Sequence, residues 1–532
     1  MFEPGYYFEK KGKINMKTTI KIMIIALLIT QHNSLSAWAF VATGNTDPNH
    51  VAAPWQKGEV IVTFDLVPTK VRFDLPIFVV NIPGPDAAGY DIQYIDAWVE
   101  TYDLWANVNS LPEGESYEAM NDNRTNHDIR IWIESQNDAR IVVRYRASMY
   151  HETKGIARAN ETTDSPYGKG EWVDEWYIFS PDGTYIRKSR VYSNHAAAVD
   201  TGYGRKGEMT YEMEGMYLLN GSDPARRGRN PTDDVDNEVI TLINMDGTSR
   251  RVDFSNYPSS FPAGFTSGNI HVINTKSTTN YHPFRIGRPT TDYLMTVYFP
   301  PPQGNDLLTT FGNPYFIAGI GQMWYSDQWQ KTSRQFNEIW LSGFTNATPA
   351  NVGSELSALA KSWQNAPTMT VDSATGAVGY GYDIGQRAYL LDFESVTQLS
   401  TAIIQINASS DSPLINPTFL INNYGMDTPK IRINGQLAGP GPDFRHGYYS
   451  TLDIEDGRQW QDVLIIWLKG EWYNPVQIKI FESDVSMEQV ILILKMITGH
   501  TVDLTIVENL DGDLVIGLSD AIIMLQQIGG IR

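Results

Sequence analysis

The 532-residue chain has no cysteine. Disulfides, thiolate metal sites and thiol nucleophiles are therefore excluded, and the fold must rest on buried area, which 14 Trp, 28 Tyr and 20 Phe residues can supply. Those rings serve either as ordinary sandwich core or as sugar-stacking platforms, and composition does not separate the two. Positive charge is also scarce: 41 Lys and Arg face 61 Asp and Glu, a net charge of −20. That balance argues against nucleic acid, whose phosphates need a basic surface. It leaves calcium, neutral glycans, and an anionic glycan wherever basic side chains gather locally. Beyond the N-terminal segment no apolar run approaches the roughly 18 residues of a membrane-spanning helix. GxSxG, HExxH and phosphate-loop motifs are likewise missing.

Residues 1–39 read as an export signal. Lys17 and Lys21 give a positive start, Ile22 to Ile29 a short apolar run, and Ala37-Trp38-Ala39 a small-x-small cleavage site. Met16 is the expected start and 1–15 an upstream extension. A secreted or surface-held bacterial protein follows from this reading.

From Trp55 to Ile480 short alternating runs are separated by Gly, Pro, Asn and Asp: Val60 to Leu66, Ile129 to Glu134, Ala139 to Arg146, Trp176 to Phe179, Val239 to Ile243, Tyr293 to Phe299, Ala388 to Phe393, Val463 to Leu468. This is the pattern of antiparallel strands with one buried face, so the fold class is mainly β, an antiparallel sandwich. Ser180-Pro181-Asp182-Gly183 and Met245-Asp246-Gly247 read as hairpin turns. Gly353 to Trp363 is the one helix expected inside the body, with Ser354 as its cap. The stiff run Phe299-Pro300-Pro301-Pro302-Gln303-Gly304-Asn305 predicts a boundary between sandwiches at 40–300 and 305–482; a long loop inside one super-sandwich is the alternative.

Residues 485–532 change character. MEQVILILKMITG from Met487 aligns without a gap with LSDAIIMLQQIGG from Leu518, two apolar helices that must pack on each other. Between them NLDGDLVIGLSD places oxygen ligands at alternating loop positions: Asn509, Asp511, Asp513, the Val515 carbonyl and Asp520. One Ca2+ is the expected cofactor, because three carboxylates on one loop repel unless a cation neutralises them. An ion-free polar helix start is the alternative. The segment resembles half of a dockerin-type repeat. The resemblance implies a small α-helical calcium module and a cohesin-like or cell-surface partner. Leu514 stands where the motif has Gly, and the loop before Met487 lacks acidic ligands, so a single site is implied.

Basic and aromatic residues concentrate in RYRASMYHETKG and YGKGEWVDEWYIFSPDGTYIRKSR. Between Arg187 and Arg229 eight basic residues face five acidic ones, reversing the balance of the whole chain. Cleaving a uronate glycan by β-elimination needs a cation on the carboxylate, a base for the adjacent proton and a donor for the leaving oxygen. Arg144, His151, Lys169, Tyr177, Arg187, Tyr281 and His282 are the catalytic candidates; Trp172, Trp176, Arg190, Lys276 and Arg285 are the substrate-binding ones. Cross-strand charge pairing on a sheet face accounts for the same residues without any site. A carboxylate pair among Asp174, Glu175, Glu212 and Glu214 would instead suit a glycoside hydrolase. A non-catalytic glycan-binding or scaffold protein would use Trp172, Trp176, Trp324 and Trp329 as platforms. The order of these stretches with EVITLINMDG, VINTKS, YHPF, SELSALAKSW, GYDIGQRAYLL, SPLINPTFLINNYG and LIIWLKGE resembles secreted bacterial β-sandwich polysaccharide lyases, ulvan lyases in particular. That resemblance implies elimination on a uronate-containing glycan, with Tyr or His as base and Arg or Lys as neutraliser.

Overall fold

The computed structural model describes residues 40–50, 60–74, 77–83, 91–103, 115–118, 129–148, 150–151, 155–156, 172–192, 210–219, 235–252, 270–287 except 278, 294–299, 316–324, 335–393, 401–481 with three short gaps, and a few positions beyond 490. The export segment, the Pro run and the calcium loop lie outside these residues.

Alternation becomes strands. Nine of them form sheet I: Ile129–Gln136 (β1), Ile141–Ser148 (β2), Trp172–Phe179 (β3), Tyr185–Tyr192 (β4), Val235–Ile243 (β5), Ser249–Val252 (β6), Ile270–Thr275 (β7), His282–Ile286 (β8) and Gln335–Thr345 (β9). Their order is β6-β5-β7-β8-β9-β4-β3-β2-β1, antiparallel throughout. Both expected hairpins form. Gly183 (φ +80°) and Gly247 (φ +87°) occupy the left-handed conformation that each turn requires, and the Asp182 and Asp246 carboxylates accept the Thr184 and Thr248 amides.

Among the described residues sheet II has eleven strands. Phe73, on its strand Lys70–Asp74, and Phe64, just past its strand Val60–Thr63, meet Tyr177, Phe179 and Phe344 of sheet I, with ring centroids 5.0–6.4 Å apart. The other face of sheet I is covered at one end by helix α1, Val352–Gln364, whose Val352, Leu356, Leu359, Ala360 and Trp363 pack on Val142, Ile178, Ile186, Phe284 and Leu341. Helix α1 starts at Asn351 without a side-chain cap, and Ser354 lies inside it, its hydroxyl donating to the Asn351 carbonyl. The expected Ser354 cap is thus corrected by one turn of register.

Two five-stranded sheets form a second sandwich. Sheet III contains Met369–Val371, Thr401–Ile406, Val476–Phe481, Lys430–Ile433 and Gln436–Ala438; sheet IV contains Ala377–Asp383, Ala388–Phe393, Thr418–Asn422, Gln459–Leu468 and Phe444–Asp453. Strands Leu294–Phe299 and Phe316–Trp324, on either side of the Pro run, are neighbours in sheet II, and β9 then returns to sheet I. The change of sandwich therefore falls between 345 and 369, not at 300–305.

Polar contacts lock the sandwiches together. Arg445 grips Asp65 through both nitrogens at 3.1 and 2.7 Å, and Asn416 donates to Asp182 at 2.8 Å. Arg140 donates to the side chain and the carbonyl of Gln386 at 2.9 and 2.6 Å. Burial lowers the Arg140 guanidinium to about 10, still charged at neutral pH, so these bonds are what make its burial tolerable. Leu66 and Ala139 join Leu390, Leu420, Trp460 and Trp467 in the apolar part of the same junction.

Candidate functional site

Strand β3 carries the densest functional signal, and its two-residue period sends that signal to opposite faces. Trp172, Asp174 and Trp176 share the front face, the face toward α1; Glu175 and Tyr177 share the back, toward sheet II.

On the front, register sets Trp176 beside Arg144 on β2 and Lys188 on β4, Asp174 beside Arg146 and Arg190, and Trp132 on β1 beside Arg144. The Arg144 guanidinium lies 4.4 Å from the Trp176 ring centre and 5.6 Å from that of Trp132; Arg190 and Lys188 lie 5.5 and 6.0 Å from Trp176. Asp174 accepts Arg146 at 2.5 and 3.0 Å and Arg144 at 3.1 Å. Four cations, Arg144, Arg146, Lys188 and Arg190, thus share the strip with two carboxylates, Asp174 and Glu134. Arg144, Trp176 and Arg190 are half-buried; Trp132, Trp172, Arg146 and Lys188 are buried.

On the back, Glu175 accepts Tyr177 at 2.6 Å, Ser189 at 3.2 Å and two nitrogens of Arg187, one at 3.3 Å. Burial, then the Glu175 carboxylate, pushes the neighbouring Tyr145 phenol well up. Arg285 lies 3.9 Å over the Trp340 ring, in register with Ser342 and His271. Tyr177, Arg187 and Arg285 do come together here, but each is at most 2% exposed. In this structure they lie on the face toward sheet II and do not meet solvent, and Tyr177 packs on Phe73 of sheet II. Asp174 and Glu175, adjacent in sequence, face apart and are each taken up by arginine, so they do not flank one bond as a hydrolytic pair must.

Tyr281 and His282 sit at the start of β8. His282 pairs with Thr345, six residues along β9 from Ile339, the partner of Lys188; at ~3.3 Å per residue that is about 20 Å from the strip. The His282 Nδ1 accepts the Thr275 amide at 3.1 Å, and burial lowers the imidazole below 6.5. Burial raises the Tyr281 phenol. Lys276 is exposed beside them. For His282 the folded value lies below the unfolded one, so between the two the unfolded chain binds more protons and stability declines as pH falls through about 6.5. His446 shifts the same way, also through burial. His282→Asn keeps an acceptor for Thr275 without titrating. Its melting temperature should therefore drop about 1–3 °C less than that of the wild type between neutral pH and mild acid, by calorimetry.

His151 contributes backbone to the two-residue strand Tyr150–His151 of sheet II. Its side chain, those of Glu212, Glu214 and Trp324, and all of Lys169, Trp329, Asn509, Asp511, Asp513, Val515 and Asp520 lie outside the described residues. Among the described residues no group of His, Asp and Glu could hold a metal, and no helix is long and apolar enough to cross a membrane. Trp132 and Lys188 are site residues that sequence reasoning missed; only the register across β1, β2, β3 and β4 reveals them.

No family model matches the chain, and no curated protein does. Solved structures that share similarity with it include the following two. One is the heparan sulfate lyase HepC from Pedobacter heparinus, 10% identical, TM-score 0.26, covering 70% of this chain and 46% of that one. The other is an alpha-mannosidase from Enterococcus faecalis V583, 7% identical, TM-score 0.30, covering 79% and 43%. The chain spans less than half the length of either.

Proposed function

We propose that this protein is a glycan-active enzyme that grips an acidic, uronate-bearing polysaccharide at the front strip of sheet I and cleaves it by β-elimination. One observation carries the grip: Arg144, Arg190 and Lys188 gather on the half-exposed ring of Trp176, on a chain of net charge −20. Aromatic plates fix the guanidinium planes, and a local excess of cations raises the concentration of an anionic polymer at that face. Elimination is the chemistry such a grip serves. A cation on the uronate carboxylate acidifies the C5 proton; a base removes it, the C4–O bond breaks, and a C4=C5 double bond forms. The export signal, the calcium loop at Asn509–Asp520 and a cohesin-like or cell-surface partner belong to this proposal on sequence grounds.

Incubation with polygalacturonate tests both parts. Absorbance at about 235 nm rises if an unsaturated uronate forms, an outcome that hydrolysis does not give. Affinity electrophoresis in polygalacturonate gels should retard the protein, less so as salt rises, whereas a neutral glucan should not. Equal retardation by both polymers would remove the electrostatic grip; retardation without absorbance would leave a binding protein.

A further inference from the structure

The strip is not the property of the first sandwich alone. Tyr449, on strand Phe444–Asp453 of sheet IV, is 6% exposed and donates its hydroxyl to Glu134 Oε1 at 2.7 Å. The backbone that carries it is fixed by Asn137 of the β1–β2 turn, whose amide donates to the Tyr448 carbonyl at 3.3 Å. Glu134 lies on β1, and its other oxygen, Oε2, is buried and accepts no hydrogen bond among the described residues. That oxygen is 3.8 Å from Arg144 Nη1, within reach of the charge but outside hydrogen-bond distance. Arg144 in turn spends Nη2 on Asp174 and leaves its buried Nε without an acceptor among the described residues. A carboxylate and a guanidinium thus face each other without closing, and the group holding the carboxylate back belongs to the other sandwich.

We infer that Tyr449 is a positioning residue for the strip: by anchoring Glu134 it keeps that carboxylate from closing on Arg144 and so leaves the guanidinium charge available to an acidic glycan. This rests on the proposed function of the strip. Burial and the Glu134 carboxylate both push the Tyr449 phenol up, so it remains a donor across the working pH range. Without the hydroxyl, Oε1 loses its donor and the carboxylate can rotate onto Arg144, where a charge-assisted bond replaces the lost one. Without the carboxylate charge, Arg144 loses one of its two competing anions.

The two substitutions therefore have opposite signs, which a purely structural contact would not give. In the full-length protein, Tyr449→Phe should weaken binding to polygalacturonate by about threefold, and Glu134→Gln should tighten it by about threefold, the size of one modest hydrogen-bond or ion-pair change. In the double variant the Tyr449→Phe effect should vanish, because no carboxylate remains to close on Arg144. Melting curves run alongside show whether each variant is folded at the assay temperature. If the wild type binds polygalacturonate and both single variants weaken it, or neither changes it, the positioning role is overturned while the strip stands. A wild type with no affinity for polygalacturonate overturns the strip, and this inference with it.

Discussion

Glu175→Ala should destabilise the protein by about 3–5 kcal/mol, whereas Glu238→Ala, which also removes an arginine's partner, should cost under about 1 kcal/mol. The contrast follows from where the two pairs sit. Glu238 and Arg251 meet at 3.0 Å with side chains 51% and 31% exposed, so water takes over when either is lost. Glu175 and Arg187 are 4% and 1% exposed between sheets I and II. Glu175 also serves Tyr177 and Ser189, so its removal leaves a guanidinium and two hydroxyls without their shared acceptor inside the sandwich. Urea unfolding midpoints of the two variants, with unchanged slopes, give the comparison directly. Equal losses would mean that the buried back-face cluster contributes no more to stability than an exposed ion pair.

Trp176→Ala should lower affinity for an acidic polysaccharide by about tenfold to a hundredfold. Three cations lie within 6.0 Å of its ring centre, and partly desolvated cation–π contacts are worth about 0.5–2 kcal/mol each. Loss of the plate removes the aromatic face that Arg144, Arg190 and Lys188 share, so the grip loses its geometry before it loses its charge. Trp176→Phe keeps an aromatic face and should retain most of the affinity. Binding isotherms with polygalacturonate at fixed salt separate the two variants, and similar affinities for Ala and wild type would count against the strip.

Much of the architecture was legible because a strand announces itself by its own period. Ile129–Gln136, Ile141–Ser148, Ala388–Phe393 and Gln459–Leu468 extend or match the alternating runs, and both Asp-Gly hairpins form. Strand partnership is not encoded so locally. Arg144, Tyr177 and Arg187 look like one cluster in the linear sequence. Register decides otherwise: Arg144 stands beside Trp176 at an even position of β3, while Arg187 stands beside Tyr177 at an odd one, so the sheet separates them. The same parity separates Asp174 from Glu175 and removes the nearest carboxylate pair from consideration for hydrolysis. The Pro run misled for a related reason. Stiffness and turn residues are visible in composition, but β9 rejoining sheet I after a detour through sheet II is a non-local event. Tyr449 carries no motif at all; it matters because Asn137 of the β1–β2 turn, together with the Arg445–Asp65 pair, fixes its strand against the first sandwich.

Salt dependence of polygalacturonate binding by the wild type and by Arg144→Gln reads out the electrostatic grip of the strip in one experiment. Asp174 keeps Arg146 and Glu134 keeps Tyr449 in that variant, so the sheet is preserved while one strip cation is gone. The wild type should bind more weakly as salt rises, and Arg144→Gln should bind more weakly at low salt with a logarithmic salt slope shallower by about one. Identical affinities and slopes for the two proteins would mean that Arg144 takes no part in holding the polymer.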